Sequence, residues 1–310
     1  MRGLSLNPRS LFNGKFNAKE FPWITGAIAL VFSLMYLPLL VHWVHGWVFK
    51  SISIEHEYFS HGMIGIPFAM YLAWQSRSKL MPLRANPRDQ LLGTAICAIA
   101  GILYLSNLAE PVNLSLPLML TGGILTFKGR AGLRILGFPM LLLWLATPNE
   151  LPYLVAPFTA PLQILIANVA GIILKLFGFP VVVDQFYLYL NGKQVEVAPY
   201  CAGLKMMFTS VYVALLLLNW TGLDQRRKFV LFFVSCAAGL SVVGNIIRNT
   251  ILVYFHGTGQ DALFVWLHDS WGGDLYSAGL LGILVWWIGK YESRSIPLNP
   301  PCEGGLRDEL

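Results

Sequence analysis

Long apolar runs dominate this sequence, and they limit the folds that are open to it. A helix of about 20 apolar residues crosses the roughly 30 Å hydrocarbon core of a bilayer. Only 12% of the residues are charged and 55% are hydrophobic, whereas soluble domains carry about 25% charged residues. We therefore predict an all-α integral membrane protein with about eight transmembrane helices. The predicted crossings lie at about 21–45, 59–76, 90–108, 112–127, 133–148, 202–220, 228–247 and 275–290.

Basic residues orient these predicted helices. Lys and Arg gather in cytoplasmic loops, and here they cluster at 77–88, 128–134 and 226–228. The same rule places both ends of the chain in the cytoplasm and Cys201 on the outer side. Because membrane orientation explains the net charge of +6, we predict no nucleic-acid partner. The predicted regions are a cytoplasmic tail at 1–20, a multi-pass domain at 21–290 and a disordered cytoplasmic tail at 291–310.

One further apolar segment, 158–177, breaks this alternation if it is counted as a crossing. It would then put Cys201 inside and the basic connection at 226–228 outside. Small and polar residues recur along one helical face of the segment, so we predict an interfacial or re-entrant helix on the outer side. The recurring residues are Thr159, Gln163, Ala167, Gly171 and Lys175.

The stretch VVVDQFYLYLNGKQVEVAPY, at 181–200, differs in kind from the apolar runs. Its β-branched and aromatic residues favour strands. The pair Asn191–Gly192 stands between two such stretches and is typical of a two-residue hairpin turn. We predict a short outer β-hairpin that leads into Cys201 and offers polar backbone at which a peptide can dock.

Cys201 stands at or just before the start of the predicted 202–220 helix. Unpaired N–H groups and the helix dipole favour an anion at that place, an arrangement that promotes a reactive thiolate. A cysteine in a membrane helix is more often a packing residue, and Cys97 and Cys236 fit that role. Taken alone, Cys201 is compatible with both interpretations.

Two other residues converge with Cys201 in the predicted topology. The 228–247 helix returns the chain to the outer side, so Arg248 reaches the face that holds Cys201, and the following loop supplies His268. Taken singly, Arg248 is equally a snorkelling anchor and His268 a loop residue without a function. Together, a thiol, a guanidinium and an imidazole suit nucleophilic attack on a carbonyl. The scattered cysteines show no metal-site spacing, and no metal or cofactor is predicted.

These residues lie in stretches that resemble the exosortase/archaeosortase family of multi-pass membrane transpeptidases. The resemblance extends from about residue 25 to 290 and implies the fold and activity of that family. One departure is that Ala202 and Lys205 stand where many relatives have Ser and Arg. This departure leaves the subfamily open, and a cyanobacterial branch is one candidate. The matching stretches are EVAPYCAGLK, NIIR, WLHDSWGG, EYFSHG and LATPNELPYLVAPFTAPLQ.

The resemblance assigns the family's cysteine to Cys201, its arginine to Arg248 and its histidine to His268. It implies cleavage of C-terminal sorting signals of exported proteins through a thioester on Cys201. The implied substrates carry a short motif such as Pro-Glu-Pro, then a transmembrane helix and a basic tail. The implied location is the bacterial plasma membrane, in contact with lipid and with the active site on the outer face.

Four further residues are candidates for binding or support. Lys205 or Arg248 is a candidate partner for the motif's glutamate, and Asn245 precedes Arg248 by one helical turn. Ser60 and His61 fall at the outer end of the second predicted crossing, so His61 is a rival of His268 for the acid–base role. Both histidines stay open at this point.

The alternative function is that of a non-enzymatic multi-pass protein, a transporter or a polysaccharide-assembly factor. A transport pathway requires charged residues within the bilayer, and the runs at 202–220 and 228–247 hold almost none apart from residues at their ends. Internal repeats, which many transporters have, are not evident either.

Overall fold

The computed structural model describes residues 22–49, 57–198 and 203–295. Two compact units are present, residues 1–45 and 46–310. The boundary lies within the first helix, α1 (Pro22–Phe49). Both predicted tails fall mostly outside the described residues. The described part of the chain is mostly helical with one small sheet, as the sequence predicts.

Helices account for most of the second unit. Several begin at features that favour a helix start; α4, for example, begins at Pro87, and the Asn86 side chain accepts a hydrogen bond from Asp89 N, which caps the helix. The helices are α2 (Gly62–Gln75), α3 (Arg77–Leu80), α4 (Pro87–Leu105), α5 (Ala109–Ile135), α6 (Gly137–Ala146), α7 (Leu151–Val155), α8 (Ala160–Leu176), α9 (Leu204–Trp220), α10 (Arg227–Gly257), α11 (Asp261–His268) and α12 (Trp271–Ser295).

The helices give fewer candidate membrane spans, by length and composition, than the eight crossings predicted. Within the described ranges, three helical segments are long and apolar enough to cross a membrane: Leu30–Phe49 of α1, α4 and α10. Two bent pairs raise the number to five if each is one span, α5 with α6 at 95° and Leu151–Phe158 with α8 at 62°. The predicted eight crossings are therefore not confirmed. The reason is that some apolar runs form shorter helices, such as the 17-residue α9, or helices broken by sharp bends.

The exposed surface of these helices is nevertheless apolar. Leu105 and Leu176 are each 81% exposed, and Trp220 is 69% exposed. Soluble proteins rarely expose apolar side chains on this scale over contiguous surfaces. Lipid contact accounts for them, in agreement with a membrane protein.

The predicted loop at 128–134 is mostly helical and contains one break. Gly129 has φ +66° within α5, a conformation that glycine adopts without strain. The buried Asp89 of α4 accepts a hydrogen bond from Arg130 N at 3.0 Å and pairs with Arg130 Nε at 3.1 Å. This carboxylate satisfies the backbone at the break and ties α4 to α5.

The predicted hairpin is present as part of a three-stranded antiparallel sheet. Its strands are β1 (Val182–Asp184), β2 (Tyr187–Leu190) and β3 (Lys193–Glu196), in the order β1-β2-β3. Asn191 and Gly192 both have positive φ, 52° and 80°, as a type I′ turn requires.

This sheet packs against α8 and α10. Leu188 and Val197 are fully buried in one core with Ile166 of α8 and Val253 of α10. The Asn191 side chain also donates to Gly257 O at the end of α10, at 3.0 Å. With 31 residues, α10 is about 46 Å long, and the sheet packs against its last turns.

Candidate active site

The structure brings together two of the three predicted reactive residues. Arg248 lies on α10, and His268 is the last residue of α11. Arg248 Nη2 donates to the backbone oxygens of Leu267 at 3.3 Å and His268 at 3.4 Å. Cys201, the predicted nucleophile, belongs to the segment 199–202, which is outside the described residues.

The Arg248 guanidinium is held at the junction of three helices. Its Nε is buried, and none of the described residues accepts a hydrogen bond from it. A Cβ on Gly273 of α12 would lie 3.4 Å from Nη2 and 2.9 Å from Leu267 O, so a glycine allows α12 to approach. A buried guanidinium N–H of this kind favours an anionic or carbonyl partner.

Gly203, the second residue after Cys201 in sequence, packs directly on α10. Its φ is +82°, and a Cβ would lie 2.8 Å from Asn245 Cγ. Asn245 is fully buried, and its backbone oxygen accepts a hydrogen bond from Asn249 Nδ2 at 2.9 Å. The start of α9 therefore lies against the helical turn of α10 that precedes Arg248.

The chain that leads toward Cys201 is fixed on its other side as well. Val197 is fully buried, and its N–H donates to Phe186 O at 2.9 Å. The buried Gln163 of α8 donates from Nε2 to Val197 O at 2.7 Å. Gln163 belongs to the predicted polar stripe of α8, so one function of that stripe is to hold this segment.

His268 pairs with the next residue along the chain. Its Nδ1 lies 2.6 Å from Asp269 Oδ1, and its ring stacks on Phe264 at 5.2 Å with an interplanar angle of 7°. A carboxylate at Nδ1 favours the tautomer with the proton on Nδ1, so Nε2 carries the lone pair that a base needs.

His268 lines a cavity of about 170 Å³ between the sheet and the α10–α11 corner. We call this cavity the β3 groove, because three successive residues of β3 form one of its walls. Its lining residues are Gln194, Val195, Glu196, Asn249, Leu252, His256, Phe264 and His268.

A cluster of ionisable side chains ties β3 to α11. Lys193 Nζ lies 2.9 Å from Asp261 Oδ2, and His256 Nδ1 lies 2.9 Å from Asp261 Oδ1. Hydrogen bonds lower the pKa of the Asp261 carboxyl below its usual value; the one from Lys193 has the largest effect, and the one from His256 is next. Because the pKa is lowered on folding, the contact is present above the carboxyl's usual pKa and is lost as the pH falls through the lowered value.

Lys205 has a partner within the protein. Its Nζ lies 2.6 Å from Glu57 Oε1, and Glu57 opens the EYFSHG stretch. Ser60 of the same stretch lines, with Lys205 and Asp274, a second cavity of about 170 Å³. This stretch and the start of α9 are thus joined by an ion pair.

His61 lies in a different environment from His268. It is 6% exposed, its Nε2 is 3.0 Å from Leu145 O, and its ring centroid is 4.3 Å from that of Tyr212. These contacts join α2, α6 and α9. They are the contacts of a packed core histidine.

The sequence of this chain matches a known protein family. The family model for transmembrane exosortases matches residues 43–285, a range that contains every residue of the candidate site. The chain belongs to the transmembrane exosortase family. No curated protein and no solved structure matches it. Exosortases sit in a membrane and act on proteins with C-terminal sorting signals, which favours the peptide-processing prediction over the non-enzymatic alternative.

Several residues of this exosortase site were not predicted from the sequence. Glu196 and Asn249 line the β3 groove, and Glu57 pairs with Lys205. Glu196 and Asn249 each lie within five residues of a predicted site residue, so proximity in sequence was the available signal. Glu57 and Lys205 lie 148 residues apart, and the sequence pattern contains nothing that pairs them.

Replacing Gly203 with alanine is expected to impair this exosortase strongly. Alanine at φ +82° is strained, and its Cβ would meet the Asn245 side chain. We expect a loss of about 1–3 kcal/mol in the free energy of unfolding and about a 10²-fold drop in processing rate, since small displacements of reacting groups have effects of that size.

The matched control is Gly239→Ala, because a Cβ at Gly239 of α10 meets no atom within 4 Å. Thermal unfolding in detergent and processing of a co-expressed substrate measure the two effects. Equal behaviour of the two variants would show that the contact between Gly203 and Asn245 is unimportant.

Proposed function

We propose that this exosortase cleaves the C-terminal sorting signal of membrane-anchored proteins by forming a thioester on Cys201. The Cys201 thiolate attacks the peptide carbonyl carbon, the C–N bond breaks, and the amine leaves with a proton. An acceptor nucleophile then attacks the thioester, takes over the acyl group and releases the thiolate. The observation that carries this proposal is the contact of Arg248 with the backbone of His268, next to the helical turn on which Gly203 rests.

Covalent geometry supports the place of Cys201 in this arrangement. Consecutive Cα atoms are about 3.8 Å apart, so two residues span at most about 7.6 Å from Gly203. Gly203 touches Asn245, which precedes Arg248 by one turn of α10. This limit is compatible with a Cys201 thiol beside Arg248, as the proposal requires.

Arg248 is the proposed electrostatic partner of the reacting groups. Its guanidinium stays charged throughout the reaction and is already oriented by two carbonyl oxygens. The buried Nε–H adds a donor to which the thiolate or the oxyanion of the tetrahedral intermediate can bind. Donors fixed in advance in this way stabilise developing charge without reorganisation.

His268 is the proposed acid–base group. It donates a proton to the leaving amine and later accepts one from the incoming nucleophile, a role that imidazoles commonly take in enzymes. Asp269 fixes its tautomer through Nδ1. The buried contacts of His61 favour a structural role for that residue instead.

The cell location and partners follow from the same proposal. We place the enzyme in a bacterial plasma membrane, with Cys201, Arg248 and His268 on the outer face. Its partners are membrane-anchored substrates with a sorting tail. Co-expression with a tagged protein that carries such a tail, from the same genome, tests the proposal through the size of the product.

Replacing His268 with glutamine is expected to lower the processing rate by about 10²- to 10⁴-fold, the usual contribution of general acid–base catalysis. His61→Gln is expected to reduce thermal stability more than the rate per folded molecule, because His61 packs in the core. Rates normalised to folded protein, together with melting temperatures in detergent, distinguish the two. The reverse pattern would transfer the acid–base role to His61.

A further inference from the structure

β3 is an edge strand whose free edge is defined by its register. Among the described residues, the sheet order β1-β2-β3 leaves one side of β3 without a neighbouring strand. The two-residue turn closes on the pair Leu190–Lys193, and hydrogen-bonded pairs then alternate along the ladder. Gln194 and its partner Tyr189 form one of the non-hydrogen-bonded pairs that lie between them. The backbone N–H and C=O of Gln194 therefore point away from β2, and those of Glu196 do the same.

The β3 groove follows this free edge. Successive side chains of a strand point to opposite faces, so a cavity on one face meets only alternate residues. Gln194, Val195 and Glu196 all line the groove, which places it along the edge. Across the described part of the chain, no backbone hydrogen bond outside the regular elements reaches Gln194 or Glu196.

The lining of the groove includes a residue of the candidate site. Leu252, Phe264 and His268 all line it, so the groove combines apolar side chains with the proposed acid–base group. After β3 the chain continues through Val197 and Ala198 toward Cys201 in sequence. A polypeptide that lies along β3 therefore passes beside His268, one of the residues proposed to react.

We propose that the substrate enters this groove as an extended segment and adds to β3 as a fourth strand. The proposal rests on the proposed function and specifies how the substrate is held. Alternating donors and acceptors along a strand edge are matched by another extended main chain. Main-chain hydrogen bonds to Gln194 and Glu196 then set the register that places the scissile carbonyl, while contacts with Phe264 and Leu252 select side chains.

Gln194→Pro tests the proposal through one backbone donor. Proline removes the outward N–H of Gln194, a position at which an edge strand tolerates it, and leaves the hydrogen-bonded pairs of β2 and β3 intact. Gln194→Ala removes the same side chain but keeps the N–H. We expect the KM of the proline variant to exceed that of the alanine variant by about tenfold, with similar kcat and similar melting temperatures. Equal KM values in two folded variants would overturn the proposal.

N-methylation of the substrate gives a second test that does not depend on the fold of a variant. The probe is a synthetic peptide of the residues that precede the apolar helix in the tail of a processed substrate, bound to purified Cys201→Ser protein. N-methyl groups at alternate residues are expected to weaken binding about tenfold, and those at the intervening residues far less.

The outcomes separate this inference from the proposed function. Strand addition would be rejected, and the enzyme assignment kept, if processing depends on Cys201 but N-methylation at alternate residues and at intervening residues weakens binding equally. The same conclusion would follow if a second copy of the chain occupies the edge of β3. Absence of Cys201-dependent processing would reject the proposed function itself, and with it this docking mode.

Discussion

Cys201→Ala is expected to abolish processing, with a fall in kcat of at least about 10⁴-fold. Loss of a catalytic nucleophile elsewhere has effects of this size, because the covalent route disappears and water attack is slow. Cys201→Ser, which keeps the shape but places a far less acidic hydroxyl at that position, is expected to be similarly inactive. Processing is measured by the size of a tagged substrate co-expressed in cells.

The control variants are Cys97→Ala and Cys236→Ala, which alter half-buried helical cysteines. Cys97 lies on α4, with its Sγ 3.8 Å from Met119 O of α5, and serves packing. Both variants are expected to process substrate. A hydroxylamine-sensitive acyl adduct should form on the wild type and be absent from Cys201→Ala. Wild-type processing by Cys201→Ala would remove the nucleophile assignment.

Arg248→Gln is expected to lower kcat by about 10²- to 10³-fold, the effect of removing one fixed donor from an oxyanion site. Arg248→Lys is expected to recover only part of this loss, because an ammonium lacks the planar fork that contacts two carbonyl oxygens at once. Steady-state processing in detergent or nanodiscs measures both. Arg227→Gln, at the other end of α10, is the matched control for charge removal from the same helix.

The pH dependence of Cys201 alkylation distinguishes an electrostatic role of Arg248 from a purely structural one. If its guanidinium stabilises the thiolate, the pH midpoint for alkylation of Cys201 by iodoacetamide should rise in Arg248→Gln and not in Arg227→Gln. Loss of activity with an unchanged midpoint would restrict Arg248 to the oxyanion or to positioning α11. Full activity in a folded Arg248→Gln would contradict both roles.

Local signals in the sequence predicted the local structure well. The Asn191–Gly192 pair indicated the hairpin, since few other dipeptides accept positive φ at both turn positions. β1 was less accessible to prediction, because a three-residue strand has almost no pattern of its own. The polar stripe of α8 was recognised, while its hydrogen bond to Val197 depends on a tertiary contact.

Helix length was the main error. The apolar run at 228–247 predicted a helix that stops near Arg248, but α10 continues to Gly257. The residues after Arg248 contain no proline, and the turn that ends the helix comes only with Gly257 to Gly259. Hydropathy reports where lipid contact ends, and a helix can continue beyond that point wherever its packing persists.

The candidate site shows the same limit. Cys201, Arg248 and His268 were predicted from chemistry and resemblance, whereas the contacts of Arg248 with the His268 backbone depend on how α11 turns back on α10. The Glu57–Lys205 ion pair joins distant parts of the chain, and a single sequence has no signal for such a pair.

The length of α10 has a mechanical consequence. Arg227 and Arg248 are separated by about 32 Å of continuous helix, close to the thickness of the lipid interior. In the proposed topology this helix crosses the lipid with one arginine near each surface, and its length fixes the height of the proposed reactive centre. Because a bilayer of different thickness is accommodated by helix tilt, we expect lipid composition to change how far a tethered substrate must reach to be cleaved.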